Sequence, residues 1–188
     1  FLQGNFVLHG SCVWVNKEAT IFIGEPGAGK STTAAAFWNA GKTILSDDLS
    51  VIKFINNKPY IIPSFPQLKV WEDALIGLKI NTSDLEKSTE GGTKYLIKQP
   101  FEKFPRELIP LKSITVLLKH NSTKSEGTLS SLQTPTELLK HFPLPSQLLK
   151  KELIKNHFLT SIQLSKTTEI MQLKRPKNYQ DLIDFVNS

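Results

Sequence analysis

The segment formed by residues 24–31 constrains the fold of this chain more than any other. It reads GEPGAGKS and matches the pattern G-x-x-x-x-G-K-[ST] at every fixed position. The apolar run at residues 19–23 predicts a buried strand before it, and residues 32–38 predict a helix after it. Strand, glycine-rich loop and helix in this order are the context in which the pattern marks a phosphate-binding loop. The sequence therefore predicts an α/β fold with a nucleotide phosphate site at this segment, called the glycine loop below.

The glycine loop is expected to hold phosphates with its backbone and with two side chains. Its glycines permit backbone angles that turn successive N–H groups inward, around a phosphate at the positive end of the following helix. Lys30 is expected to bind the outer phosphates of a nucleoside triphosphate, and the hydroxyl of Ser31 is expected to ligate Mg²⁺. The residues assigned to the nucleotide are Gly24, Glu25, Pro26, Gly27, Ala28, Gly29, Lys30, Ser31 and Thr32.

Two adjacent acids follow the next predicted strand, residues 42–45. Asp47 and Asp48 stand at its C-terminal end, where ligands bind to open α/β sheets. Mg²⁺ bound to a nucleotide needs a carboxylate beyond the loop, and transfer to a hydroxyl group needs a positioned base. Because the two side chains diverge, one is predicted to face the metal and the other an acceptor. The alternative is that one of them only caps the next segment.

A histidine is a third candidate for the site. His9 ends a predicted strand at residues 6–8 and precedes Gly10 and Ser11, which predict a turn. From the residues alone, His9 is equally well explained as a surface turn residue or as a phosphate contact.

Length and composition predict a single domain over residues 1–188. The hydrophobic content of 39% and the charged content of 21% are usual for a globular protein. Neither an apolar run of the roughly 20 residues that cross a bilayer nor a signal-peptide pattern is present, so no membrane association is expected. The single cysteine, Cys12, excludes an internal disulfide and favours a cytoplasmic location, with a packing role for its side chain.

The net charge of +6 does not by itself indicate a nucleic-acid partner. Lysines are spread along the chain, and the arginines are Arg106 and Arg175 alone, whereas base recognition relies mainly on arginine. No nucleic-acid binding is therefore expected. A basic surface suits an acidic partner such as a nucleotide or an acidic peptide.

The remaining patterns predict a mixed sheet with flanking helices and a helical C-terminal third. Further strands are predicted at residues 12–15, 51–55, 60–62, 95–97, 114–118 and 170–173. Further helices are predicted at residues 68–75, 83–87, 136–141, 146–159 and 179–186. Residues 88–92 are a candidate mobile flap. Lys94, just beyond them, either closes onto the phosphates or is solvated.

Three motifs together resemble a known family. The sequences LHGS (residues 8–11), GEPGAGKS and SDD (residues 46–48) resemble, in order and separation, the catalytic domain of bacterial HPr kinase/phosphorylase. The stretch PSFPQLKVWEDAL (residues 63–75) is similar to a branch of HPr-kinase-like kinases of ribosomal peptide biosynthesis, including those that phosphorylate lasso precursor peptides. The resemblance covers most of the chain and is specific over its first 75 residues or so. It implies a P-loop-containing core of the HPr kinase/PEP carboxykinase type.

The resemblance also implies roles for individual residues. Asp48 matches the general base, His9 matches an active-site histidine near the phosphates, and Lys30 matches the lysine that holds the transferred phosphate. Asp47 would orient the metal together with Ser31. The family has a later acidic metal ligand, for which Asp73 is the candidate and Glu72 the competitor.

These observations lead to one expected function and two alternatives. The expectation is an enzyme that uses ATP and Mg²⁺ to phosphorylate a serine hydroxyl, most simply on a peptide or protein. Because the glycine- and arginine-containing signature of HPr kinases is missing after the acid pair, a one-way kinase is expected. The alternatives are a kinase for a free amino acid and a nucleotide-binding regulatory module without transfer. The C-terminal third is expected to hold the acceptor site or an interface between identical subunits.

Overall fold

A computed structural model of the protein describes residues 5–89, 92–143 and 151–187. The strands are β1 (Phe6–Val15), β2 (Glu18–Gly24), β3 (Thr43–Ser46), β4 (Leu49–Ile55), β5 (Lys58–Ile62), β6 (Gln67–Trp71), β7 (Glu86–Lys87), β8 (Lys94–Lys98), β9 (Ile109–Leu118), β10 (Gly127–Thr128) and β11 (Glu169–Lys174). The α-helices are α1 (Lys30–Asn39), α2 (Glu72–Gly77), α3 (Thr134–Leu139), α4 (Lys151–Thr167) and α5 (Tyr179–Asn187), and a short 3₁₀ helix occupies Phe101–Lys103.

Among the described residues, eight strands form one mixed sheet. Its order is β10-β11-β9-β2-β1-β4-β5, with β3 paired to β1 as well. The long strand β9 pairs with β2 along most of its length and with β5 at Ile109 and Pro110, so the sheet closes on itself. A second sheet has three strands in the order β6-β8-β7.

The three parallel strands β2, β9 and β11 end at one edge of the main sheet. Gly24 at the end of β2 lies opposite Leu117, and Leu118 at the end of β9 lies opposite Lys174. Each strand therefore delivers the residues that follow it to the same edge. This is the edge at which α/β sheets bind ligands.

The apolar run of β2 explains why this strand is central. Ile21 and Ile23 face one hydrophobic core, while Phe22 faces another on the opposite side of the sheet. A strand that is buried on both faces reads as a continuous apolar run, as predicted. Helix α1 packs on the Phe22 side, where its buried alanines, Ala34–Ala36 in sequence, leave room for the backbone to lie close to the sheet.

Three sequence-based predictions of local structure are wrong. Gly10 does not form a turn but lies inside β1, opposite Ile23, where a Cβ atom would lie only 2.6 Å from the carbonyl oxygen of Phe22. Residues 68–71 form all of β6 except its first residue, and the helix begins only at Glu72. Residues 83–87 contain a turn followed by β7, because Glu86 and Lys87 pair with β8.

The C-terminal third is largely helical, as predicted, but its helices differ in extent. Helix α3 spans Thr134–Leu139, and α4 extends to Thr167, well beyond the predicted end at residue 159. The predicted start of that helix, at residues 146–150, lies outside the described residues. Strand β11 and helix α5 occupy the positions predicted for them. No helix in the described part of the chain combines the length and apolar character that crossing a membrane requires.

Candidate active site at the end of the parallel strands

The glycine loop connects the end of β2 to the start of α1, as the sequence predicts. Gly27 and Gly29 have φ angles of 80° and 95°, in the left-handed region that a side chain disfavours. Gly29 immediately precedes α1 and supplies no side-chain cap, so the first N–H groups of the helix remain available to a ligand. The positive end of α1 therefore faces the edge at which the parallel strands end.

Two side chains of the glycine loop project into the same region. The ammonium group of Lys30 donates a hydrogen bond of 2.9 Å to the carbonyl oxygen of Gly24, which spans the loop. Burial lowers the pKa of Lys30, although the charges of Asp48 and Asp47 oppose this. The hydroxyl of Ser31 lies 3.5 Å from Oδ1 of Asp47. Residues 30 and 31 thus bring a cation and a hydroxyl next to the acid pair.

The carboxylate of Asp47 is fixed from two sides. Its Oδ1 accepts a hydrogen bond of 2.8 Å from the hydroxyl of Ser11, and its Oδ2 accepts one of 3.0 Å from the backbone N–H of Lys69. Burial raises the pKa of Asp47, and these two hydrogen bonds oppose that shift. Asp47 is therefore held in one orientation, beside the hydroxyl of Ser31.

Asp48 has different surroundings from its neighbour. Its side chain is exposed, and its φ of 62° places the backbone in the left-handed region, which aspartate tolerates better than most residues. The backbone is anchored because the carbonyl oxygen of Asp48 accepts a hydrogen bond of 3.1 Å from the N–H of Gly10. The unusual φ turns the second acid toward solvent while the first stays in the polar cluster.

His9 lies on β1 beside the acid pair. Its backbone N–H donates a hydrogen bond of 2.7 Å to the carbonyl oxygen of His141, which follows α3. Burial and the charge of Lys30 lower the pKa of its imidazole, while Asp48 and Asp47 act in the opposite direction. Burial and the charge of Lys30 thus favour the neutral form of the ring. The charges of Lys30, Asp47 and Asp48 all act on His9, so the structure brings these four predicted residues together.

The acids predicted as later metal ligands, Glu72 and Asp73, each have another neighbour in the structure. Glu72 accepts a hydrogen bond of 3.0 Å from the hydroxyl of Tyr95, and Asp73 is placed where its charge acts on Tyr179 of α5. Within the described ranges, no three His, Cys, Asp or Glu side chains cluster so as to hold a metal ion. Lys94 lies over the ring of Trp71, with its ammonium group 4.6 Å from the ring centroid. The candidate flap at residues 88–92 lies partly outside the described residues.

Arg175 is a site neighbour that the sequence analysis did not identify. A Cβ atom on residue 29 would lie 2.7 Å from Nε of Arg175, so this side chain packs directly on the glycine loop. Its Nη1 is buried without a hydrogen-bond partner among the described residues. Arg175 directly follows β11, which ends at the ligand-binding edge. The predicted strand at residues 170–173 was therefore the signal in the sequence that could have indicated a role for Arg175.

A cavity of about 290 Å³ lies beside Gly24 and Glu25, next to the residues that follow β9. Lys119 forms an ion pair of 3.1 Å with Glu25 across one end of it. On another wall, the neighbouring His141 ring and the ammonium groups of Lys140 and Lys124 hold the pKa of Glu137 well below its usual range. This cavity was not predicted, because its walls come from segments far apart in the sequence.

The oxygen atoms present fit a hard divalent cation in part. The hydroxyl of Ser31 and the carboxylate of Asp47 are close enough to share one ion, and oxygen ligands of this kind suit Mg²⁺. Two protein oxygens leave most of the shell to water and to ligand phosphates, which is the usual manner of binding for Mg²⁺. The phosphates themselves fit the positive end of α1 with Lys30 beside it.

Comparison with known proteins supports the fold assignment. No family model and no curated protein sequence matches this chain. Among solved structures, it is similar to the HPr(Ser) kinase/phosphatase from Coxiella burnetii, with a TM-score of 0.51 and 12% sequence identity over 97% of this chain and 87% of that chain. At this identity the likeness shows the fold alone. The chain therefore has a mixed α/β fold similar to that of HPr kinase, in agreement with the resemblance of its motifs.

Proposed function

We propose that this protein is an ATP- and Mg²⁺-dependent kinase that transfers the γ-phosphoryl group to a serine hydroxyl of a peptide. The observation that carries the proposal is the difference in surroundings between Asp47 and Asp48. Asp47 is hydrogen-bonded to Ser11 and lies beside Ser31 of the glycine loop, whereas Asp48 is exposed at the same edge. One acid is thus suited to the metal shell and the other to an acceptor. The fold similarity to HPr kinase supports the same class of reaction.

The donor nucleotide would bind along the glycine loop. The backbone of residues 24–32 would hold its phosphates, with Lys30 on the transferred group. The cavity beside Gly24 offers about 290 Å³ for the nucleoside portion. Burial lowers the pKa of Lys30, and the negative charge of a bound polyanion would join that of the two acids in favouring its charged form.

Ser31 and Asp47 would hold Mg²⁺, and Asp73 would be a further ligand of the ion when the nucleotide is bound. When bound, the ion would neutralise charge on the phosphate oxygens. Asp47 contributes orientation, because both of its oxygens already accept hydrogen bonds from fixed donors. A carboxylate that cannot rotate keeps its metal-facing oxygen in place throughout the reaction.

Asp48 would accept the proton of the acceptor hydroxyl as its oxygen bonds to phosphorus. A base at this position must reach the substrate, and the exposed carboxylate of Asp48 meets that requirement. The neutral ring of His9 would donate or accept a hydrogen bond without adding charge. Catalysis would then consist mainly of positioning and charge neutralisation.

The acceptor is proposed to be a serine in a peptide of the kind found in ribosomal peptide biosynthesis, on the resemblance of residues 63–75. The catalytic unit would be the single domain formed by residues 1–188. A test is mass spectrometry of the protein incubated with Mg-ATP and either serine-containing peptides or free serine. The proposal expects a gain of one phosphate on peptides. Phosphorylation of free serine alone would indicate that the acceptor is an amino acid and not a peptide. ATP binding without any transfer would indicate a regulatory module.

A further inference from the structure

Three large apolar side chains are exposed around the acid pair. Leu49, Phe65 and Trp71 have 45%, 54% and 49% of their surfaces exposed. Together with Lys69 and Lys94 they form what we call the apolar face. Exposed aromatic side chains that cluster beside a reactive group are typical of binding surfaces, because water is readily displaced from them.

Strand register and hydrogen bonds fix the apolar face to the acid pair. Leu49 directly follows Asp48 and lies opposite His9 in the pairing of β1 with β4, so these two side chains share one side of the sheet. The backbone N–H of Ser64 donates to the carbonyl oxygen of Leu45 at 3.0 Å, which brings the segment containing Phe65 alongside the end of β3. The N–H of Lys69 donates to Asp47 itself. The apolar face therefore begins at the acids.

The position of Trp71 at the far end of the apolar face is also fixed. A Cβ atom on residue 92 would lie 2.8 Å from its ring, so the backbone there packs against the indole. Lys94 lies over the same ring at 4.6 Å, and the two residues are opposite each other in the pairing of β6 with β8. The ring attracts the ammonium group electrostatically, so a positive charge lies above an exposed aromatic surface.

Lys94 places a positive charge at the far end of the apolar face. The adjacent Lys98 is paired with Glu86 on β7. Glu72 at the start of α2 is hydrogen-bonded to Tyr95, and the charge of Asp73 acts on Tyr179. A ligand that contacts Trp71 and Lys94 therefore meets an apolar surface with an adjacent cation.

We propose that the apolar face binds the acceptor as an extended peptide segment, with an apolar and an acidic side chain close to the serine. This inference rests on the proposed function, and it adds the sequence preference of the acceptor. The apolar side chain would pack on Leu49 and Phe65 next to Asp48, and the acidic side chain would pair with Lys94 over Trp71. An extended segment fits because Leu49, Phe65 and Trp71 lie on successive segments of the chain and do not surround a single cavity.

The test is a library of peptides with one serine, in which each flanking position carries Leu, Asp, Lys or Gly. Phosphate incorporation from Mg-ATP is measured for each peptide, and the affinity for Mg-ATP is measured separately. The wild-type protein is expected to favour Leu and Asp near the serine over Gly and Lys by at least 10-fold in kcat/KM. Trp71→Ala is expected to raise KM for the favoured peptide at least 10-fold without changing nucleotide affinity.

Two further variants separate this role from general stability. Lys94→Glu is expected to reverse the preference from Asp to Lys, a change that a destabilised fold would not produce. Ile55→Ala is the control, because Ile55 is an apolar residue with 39% exposure at the opposite end of β4 from Leu49. It should leave KM unchanged.

The outcomes distinguish the inference from the proposed function. Phosphorylation of all serine peptides at equal rates, or an unchanged preference in Lys94→Glu, would overturn the inference and leave the kinase assignment intact. Phosphorylation of free serine but of no peptide would overturn the inference and the peptide acceptor with it. ATP binding without transfer to any acceptor would overturn the proposed function itself.

Discussion

The hydroxyl of Ser11 donates a 2.8 Å hydrogen bond to Oδ1 of Asp47, although the two residues are 36 positions apart in the sequence. This contact joins β1 to the end of β3 and orients the acid toward the glycine loop. It also opposes the rise in the pKa of Asp47 that burial causes. Ser11 is therefore a positioning residue for the proposed site.

Ser11→Ala is expected to shift the acid limb of the pH–activity profile to higher pH. The substitution removes a hydrogen bond that favours the charged form of Asp47, so the pKa of Asp47 rises further, and activity that needs the carboxylate is lost at a higher pH. A hydrogen bond to a charged group contributes about 1.5–3 kcal/mol, equivalent to a shift of about one to two pH units. Rates of phosphate transfer between pH 5 and pH 8 measure the shift.

Ser113→Ala is the control for this prediction. Ser113 also forms a side-chain hydrogen bond between strands, with Thr20 at 3.0 Å, but it lies far from the strand ends that carry the site. Its removal should leave the acid limb in place. An unshifted profile in Ser11→Ala would show that Asp47 does not set the acid limb.

Gly29→Ala is expected to weaken Mg-ATP binding at least 10-fold. Residue 29 has a φ of 95°, and a Cβ atom there would lie 2.7 Å from Nε of Arg175. The methyl group would displace either the loop or the arginine and so misplace the first N–H groups of α1. Isothermal titration calorimetry with Mg-ATP measures the change.

Gly41→Ala is a matched control for the backbone strain that a side chain causes at a positive φ. Gly41 has a φ of 79°, but no atom lies within 4 Å of the position that a Cβ would occupy. The substitution should cost about 1–2 kcal/mol of folding free energy and leave the affinity for Mg-ATP unchanged. Equal loss of affinity in both variants would contradict a specific role for the packing between Gly29 and Arg175.

The buried ring of His157 is expected to make the protein less stable in mild acid. Its ring is buried between Phe6 and Phe142, and burial lowers its pKa from 6.5 to about 4. Because the unfolded chain binds this proton more tightly than the folded chain, stability is fully present above pH 6.5 and is lost as the pH falls towards 4. Protonation of His157 is expected to lower the free energy of unfolding by about 2 kcal/mol between pH 7 and pH 4.5.

Urea unfolding of the wild type and of His157→Phe at the two pH values tests this effect. Phenylalanine keeps an aromatic ring in contact with Phe6 and Phe142 but cannot be protonated, so the difference in unfolding free energy between pH 7 and pH 4.5 should shrink by about 2 kcal/mol. The same difference in both proteins would assign the acid sensitivity to other groups, of which Glu137 is the first to examine.

The parts of the site that the sequence predicted are those determined by neighbouring residues. The glycine loop follows from the apolar run before it and the helix-forming residues after it. The location of Asp47 and Asp48 follows from the end of the strand that precedes them. Such patterns can be recognised from adjacent residues alone. The structure brings these predicted groups together.

The parts that the sequence did not predict depend on contacts between distant segments. The stretch containing Lys69 resembled a helix, but its N–H bonds to Asp47 and its neighbours pair with β8, so it forms a strand. Arg175 reaches the glycine loop only because β11 lies parallel to β9. No local pattern in a single sequence specifies either pairing, because both arise from tertiary packing.

Asp48 is proposed to be the base of the phosphotransfer reaction. The most direct measurement compares the rate of peptide phosphorylation with the affinity for Mg-ATP in Asp48→Asn, with Asp84→Asn as a control on another exposed acid. The proposed mechanism expects Asp48→Asn to reduce transfer by about 10²–10⁴-fold, the usual contribution of general base catalysis, while nucleotide affinity changes little. Asp84→Asn should alter neither. Transfer by Asp48→Asn at close to the wild-type rate would show that Asp48 is not the base.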